Sequence, residues 1–194
     1  LNGGRGTDTL TITVNEDDNN AAFTSSLIEN IKIRANGLAP ANAGARAAQL
    51  TTVDFGDVSG VSTITVNRSG AGGLTLENLT EIAALTLDRE DDNGPVTLVY
   101  KAAVAGGTSD SITLTINNSS NAGLVNVDGI ETINLVSTNS PTGDANELTL
   151  DELATGSATE TLNISGAGDL DVTDTDSLTI TNSASGDVRI IAAT

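Results

Sequence analysis

Gly3-Gly4-Arg5-Gly6-Thr7-Asp8-Thr9-Leu10-Thr11 runs in the order Gly-Gly-x-Gly-x-Asp-x-apolar-x. That order has a chemical sense. Calcium is a hard cation that takes about six to eight oxygen ligands at roughly 2.3 to 2.6 Å. Glycines permit tight turns that aim backbone carbonyls at one point. Asp8 supplies charge, and Leu10 anchors the strand that follows. The stretch therefore reads as calcium ligands centred on Gly4, Gly6 and Asp8. One copy makes half a shell, because stacked turns normally complete it. Three further carboxylates are candidate metal ligands. Asp110 follows Gly106-Gly107-Thr108-Ser109 at a strand start, and Asp169 and Asp171 stand two apart, on the same side of a strand. Asp174 and Asp176 lie close by. Glu90-Asp91-Asp92-Asn93-Gly94 and Asp17-Asp18-Asn19-Asn20 could ring a cation or form solvated turns. A solvated acidic loop is the ordinary alternative for each of these clusters.

Other chemistries are closed by composition. The chain has no Cys and no His. Cys/His zinc sites and Ser-His-Asp or Cys-His nucleophilic systems are therefore excluded. Paired carboxylates can serve glycoside hydrolysis, but here the acidic pairs sit within loops and the basic residues are scattered. The sequence is read as non-enzymatic. Acidic residues number 26 against 8 basic, a net charge of −18. That argues against nucleic acid, which needs clustered Lys and Arg, and against an anionic membrane surface. It fits solubility through self-repulsion, or neutralisation by cations. Aromatics are Phe23, Phe55 and Tyr100 alone, so stacking platforms for single strands are missing. No apolar run approaches the ~20 residues of a membrane helix. The chain opens at Leu1 without Met or a signal peptide, and is read as an excerpt of a longer polypeptide.

The elements that must carry these residues are strands. An apolar–polar–apolar triplet recurs from Leu10-Thr11-Ile12 and Ile31-Lys32-Ile33 through Ile64-Thr65-Val66 to Val188-Arg189-Ile190. Period two marks a strand with one buried face. The outward residue is usually Thr, which suits a half-exposed pleat. Gly, Asn, Asp and Ser fill the gaps and make turns. Longer phrases repeat as well. Val58-Ser59-Gly60-Val61-Ser62-Thr63-Ile64-Thr65-Val66 echoes Val127-Asp128-Gly129-Ile130-Glu131-Thr132-Ile133-Asn134-Leu135 at each apolar position. Repeats too small to bury their own faces stack on their neighbours. The expected fold is all-β: a β-solenoid, or parallel β-helix-like stack of short strands. Two or three strands per coil would make roughly five to seven coils. An antiparallel β-sandwich is the alternative. Residues 1–194 are read as a single repetitive β domain. Residues 34–57 form a candidate loop excursion or short helix, and residues 100–109 a loop. Helical turns are candidates at Glu77–Ala84 and Asp151–Ala154.

Three features together resemble the RTX-type bacterial S-layer proteins. They are Gly3 to Thr11 leading into a strand, the phrase Gly129-Ile130-Glu131-Thr132-Ile133-Asn134-Leu135, and the order of later pieces. That order runs from Gly107-Thr108-Ser109-Asp110 before Ile112-Thr113-Leu114 to Asp169-Leu170-Asp171-Val172. The resemblance implies a calcium-stabilised structural protein, secreted by a type I system to the extracellular cell surface. It implies contacts with other copies and with cell-surface polysaccharide. The chain departs from the pattern in carrying one good nonapeptide rather than a tandem array. RTX-type adhesins share these building blocks, so an adhesin or ligand-binding surface module is the alternative function.

Overall fold

Most triplets turn two aliphatic side chains inward and one polar residue outward, so a single strand leaves an apolar face that only another strand can cover. A computed structural model of the chain, describing residues 1–15, 21–36, 51–70, 72–91, 94–150, 161–174 and 179–192, shows how that is met. The chain winds into a stack of eight coils, each giving one strand to each of two parallel sheets.

The first coil contributes β1 (Thr9–Asn15), β2 (Ala21–Ala22) and a short β3 (Ser25–Ser26). The second repeats this with β4 (Asn30–Asn36), β5 (Thr51–Asp54) and β6 (Val58–Ser59). Two-strand coils follow: β7 (Thr63–Asn67) with β8 (Leu74–Leu79), β9 (Ala84–Asp88) with β10 (Val96–Tyr100), and β11 (Ser111–Asn117) with β12 (Leu124–Val127). The last three are β13 (Thr132–Ser137) with β14 (Asn146–Leu150), β15 (Thr161–Gly166) with β16 (Leu170–Asp174), and β17 (Thr179–Asn182) with β18 (Val188–Ala192). The first sheet runs β1-β4-β7-β9-β11-β13-β15-β17, and the second β2-β5-β8-β10-β12-β14-β16-β18. A two-stranded ladder of β3 and β6 makes a third face at the first coils. Every ladder is parallel, which rules out the sandwich. At about 4.8 Å per strand, the eight rungs stand roughly 34 Å tall.

In-register pairing turns the triplets into columns. Leu10, Ile31, Ile64, Leu85, Leu114, Leu135 and Ile164 follow one another up the first sheet. Val53, Leu76, Leu98 and Val127 do so in the second. Together these aliphatics form one continuous core. A neighbouring column, Ile12-Ile33-Val66-Leu87-Ile116, ends at Ser137, which is fully buried. Ser137 is tolerated there because its hydroxyl donates to Asp169 O at 3.2 Å and accepts from Asn146 Nδ2 at 2.9 Å.

Polar side chains also line one corner from inside. Ser69 N–H donates to both oxygens of the Glu90 carboxylate (3.1 and 2.9 Å). Glu90 N–H donates to Ser119 Oγ (3.0 Å), and Ser119 N–H to Asn146 Oδ1 (2.8 Å). All four residues are buried. Each side chain thus satisfies the corner amide of the coil before it, where a bend frees backbone groups from the ladder. Arg68, Arg89 and Asn118, each just before such a residue, take left-handed φ values of 52°, 60° and 51°.

Several expectations are corrected. Residues 34–36 belong to β4 and 51–54 to β5, so most of the expected excursion that is described is strand; residues 37–50 lie outside the described residues. Glu77–Leu79 completes β8, and no helix forms between Glu77 and Ala84. Asp151–Ala154 lies outside the described residues. Among the described residues the coils number eight rather than five to seven, because β2 and β5 carry no apolar–polar–apolar triplet.

Candidate metal centre

Asp8 and Asp110 occupy one position in two different coils. The Asp8 amide donates to Glu29 Oε2 of the next coil (2.8 Å), and the Asp110 amide to Glu131 Oε2 (2.7 Å). In return, the Asp8 carbonyl accepts Asn30 N–H, and the Asp110 carbonyl accepts those of Glu131 and Thr132 (3.1 Å each). This gives the phrase Gly129-Ile130-Glu131-Thr132 a physical meaning. Gly129 turns the corner at φ 82°, Ile130 fills the core, and Glu131 clamps the coil below. Leu27-Ile28-Glu29-Asn30 does the same work with Leu27 held at φ 55°.

The two aspartates differ in what their carboxylates meet. Asp110 Oδ2 accepts Gly107 N–H at 3.0 Å, closing its own loop. Asp8 Oδ2 is buried and has no hydrogen-bond partner. It packs beside Gly3, where any Cβ would collide with the Leu27 carbonyl. Gly4 and Gly6 hold the turn at φ 88° and 112°, conformations that glycine adopts without strain. A buried carboxylate oxygen with no donor is costly. A cation held by Asp8 and neighbouring carbonyls would remove that cost. The residues around Asp8 therefore fit calcium as part of a shell.

The remaining candidates do not join them. Asp8 and Asp110 lie four rungs apart, about 19 Å. Asp169, just before β16, and Asp171, on it, stand beside an open cleft of about 800 Å³ that also meets Asp144, Asp187 and Arg189. There the Asp171 carboxylate is engaged by Arg189, whose Nε donates at 2.9 Å and whose Nη2 forms the ion pair. That hydrogen bond holds the Asp171 carboxyl below the usual carboxylate range. Asp169 Oδ1 accepts Asp187 N–H (2.9 Å), and the Asp169 amide donates to Ser140 Oγ (2.7 Å). Glu90, expected in an acidic loop, is instead turned inward as a corner clamp. Residues 17–20 and Asp176 lie outside the described residues. Among the described residues no three carboxylates are grouped to hold a metal ion. The six sequence candidates thus fall into three separate places, and among them Asp8 alone presents a buried oxygen with no hydrogen-bond partner.

Sequence reasoning missed a polar network on the outer face of the first sheet. Asn67 Nδ2 donates to Asp88 Oδ2 (2.6 Å) and Asn117 Nδ2 to Asp88 Oδ1 (2.7 Å), while Asn139 and Thr138 donate to Asn117 Oδ1 (2.8 and 2.9 Å). The signal was present as a polar amide or acid directly after each triplet, in Val66-Asn67, Leu87-Asp88 and Ile116-Asn117. Comparison with protein-family models, with curated proteins and with solved structures finds no match. No described helix is long and apolar enough to cross a membrane.

Proposed function

We propose that the chain is a structural segment of an extracellular bacterial surface assembly, an S-layer-like lattice exported by a type I system and stabilised by calcium. One observation carries the reading: eight coils share a single unbroken aliphatic core inside two parallel sheets. Such a stack gains stability from each neighbour contact and behaves as a stiff rod. Its outward faces carry mostly Thr, Asn and Ser side chains. The reading assigns the chain no catalytic role. At a net charge of −18, copies repel one another. Calcium at the Asp8 corner and along acidic loops would lower that repulsion and let copies meet. The last coil also presents Ile180, Ile190 and Ile191 at 38%, 39% and 40% exposure on strands with one sheet neighbour. That unpaired edge is a surface for a further coil or copy.

Sedimentation of the chain with and without millimolar calcium tests the proposal. Calcium-driven, chelator-reversible assembly is expected. A species that stays monomeric at every calcium and protein concentration would overturn the lattice reading. The alternative, an adhesin, is favoured by one feature of the first sheet, described next.

A further inference from the structure

Three of the chain's eight basic residues meet in one groove. Lys32 and Arg34 point outward from β4, two apart on the same face, and Arg89 stands at the corner after β9. They line a groove of about 440 Å³ on the outer face of the first sheet, together with Thr11, Thr13, Thr65 and Asn67. Pairing sets them in rows: Thr11, Lys32, Thr65 and Thr86 along one, Thr13 beside Arg34 along the next. Rungs about 4.8 Å apart and same-face residues about 6.8 Å apart make a regular array of hydroxyls and cations.

All three cations are exposed, and among the described residues none has a carboxylate within ion-pair distance. The one acid in the groove is already committed. Both Asp88 oxygens are held by side-chain amides, from Asn67 at 2.6 Å and Asn117 at 2.7 Å. In a chain of net charge −18, three cations against the single Asp88 carboxylate leave this concavity net positive among the described residues, a local reversal of the field. They attract anions where the rest of the surface repels them.

We propose that this groove binds an acidic polysaccharide, with Lys32, Arg34 and Arg89 holding its carboxylates and the Thr and Asn side chains its hydroxyls. Arginine forks match carboxylates in pairs. Thr11, Thr13 and Thr65 both donate and accept, as a sugar hydroxyl requires. An acidic peptide would satisfy the cations but leave the hydroxyl rows unused. The inference stands on the groove alone and survives if the lattice reading fails.

Calorimetric titration of the whole chain at low salt tests it, with a galacturonic acid oligomer as probe and polyglutamate of equal charge beside it. The sugar acid is expected to bind saturably. Lys32→Gln with Arg34→Gln should weaken it by about tenfold or more, the scale of a lost charge-assisted hydrogen bond. Thr65→Val should weaken the sugar by about threefold to tenfold and leave polyglutamate unchanged. Lys101→Gln, on the other sheet, should change neither. Melting curves confirm that each variant folds, and Arg89→Gln gives the same readout should the double variant not fold. Three results would each overturn the proposal: no saturable binding, binding indifferent to the groove cations, or polyglutamate binding as tightly as the sugar.

Discussion

Asn146→Ala tests whether the buried corner ladder holds the coils together. Asn146 is fully buried, and its side chain serves three residues at once. Oδ1 accepts Ser119 N–H at 2.8 Å from the coil below. Nδ2 donates to Ser137 Oγ at 2.9 Å and to Asn139 O at 3.0 Å. Truncation strands the Ser119 amide in the interior, at about 1–3 kcal/mol for a buried unsatisfied donor. Ser137 keeps its bond to Asp169 O, and the exposed Asn139 carbonyl can turn to water, so those losses are smaller. The lost side-chain volume adds to the cost. The total comes to about 3 kcal/mol, which for a chain of this size lowers Tm by about 6–12 °C. Because a solenoid's stability is built from neighbour contacts, the weakness should also be local. Hydrogen exchange at the Ser119 amide should quicken by about a hundredfold, the equivalent of 3 kcal/mol. Thr115→Ala, on the outer face, should stay within about 0.5 kcal/mol. An Asn146→Ala protein with wild-type Tm and unchanged Ser119 exchange would refute the ladder.

Further outcomes follow from the same structure. Gly166 sits at φ 107° with the Ser137 carbonyl where a Cβ would go, so Gly166→Ala should cost about 2–4 kcal/mol in denaturant titration. Tyr100, the sole tyrosine, has its phenol pushed well above the usual range by burial. Phenolate absorbance should therefore appear only at higher pH than for free tyrosine. The stability linked to Tyr100 is fully present below the unfolded pKa of about 10 and is lost as pH rises through the higher folded value. Arg189→Gln should return the Asp171 carboxyl toward about 3.9, visible by carboxyl NMR titration. In the native chain the contribution of that pair is present above the unfolded pKa and fades as pH falls through the lowered folded one. With the Arg189 side chain open to solvent, the pair contributes little to stability.

The strands were legible because the triplets turn two aliphatic residues to one face and a polar residue to the other, a pattern that persists to Val188-Arg189-Ile190 even though Ile190 in the last coil is exposed. The coil count was less so. β2 is only Ala21–Ala22 and β5 is Thr51–Asp54, and such segments join a sheet through stacking rather than through their own pattern. Left-handed corners at Leu27, Arg68, Arg89 and Asn118 were hidden for a similar reason. No local preference puts Leu or Arg there, and neighbouring coils impose the bend. Glu90 read as an acidic loop residue, and only the stacked fold supplies the Ser69 amide that draws it inside. Asp8 was visible from the glycines around it. The basic groove was not, because Arg89 is distant in sequence from Lys32 and Arg34 and meets them only through the in-register ladder of β4, β7 and β9.

Thermal melting with millimolar calcium, magnesium or chelator, on the native chain and on Asp8→Asn, tests the calcium-stabilised structural reading most directly. At about ten times its dissociation constant a bound ion contributes about 1.4 kcal/mol, or about 3–6 °C in Tm. The account predicts that rise with calcium alone, and its loss in Asp8→Asn. Melts that superimpose with and without calcium, or a rise that Asp8→Asn retains in full, would contradict it.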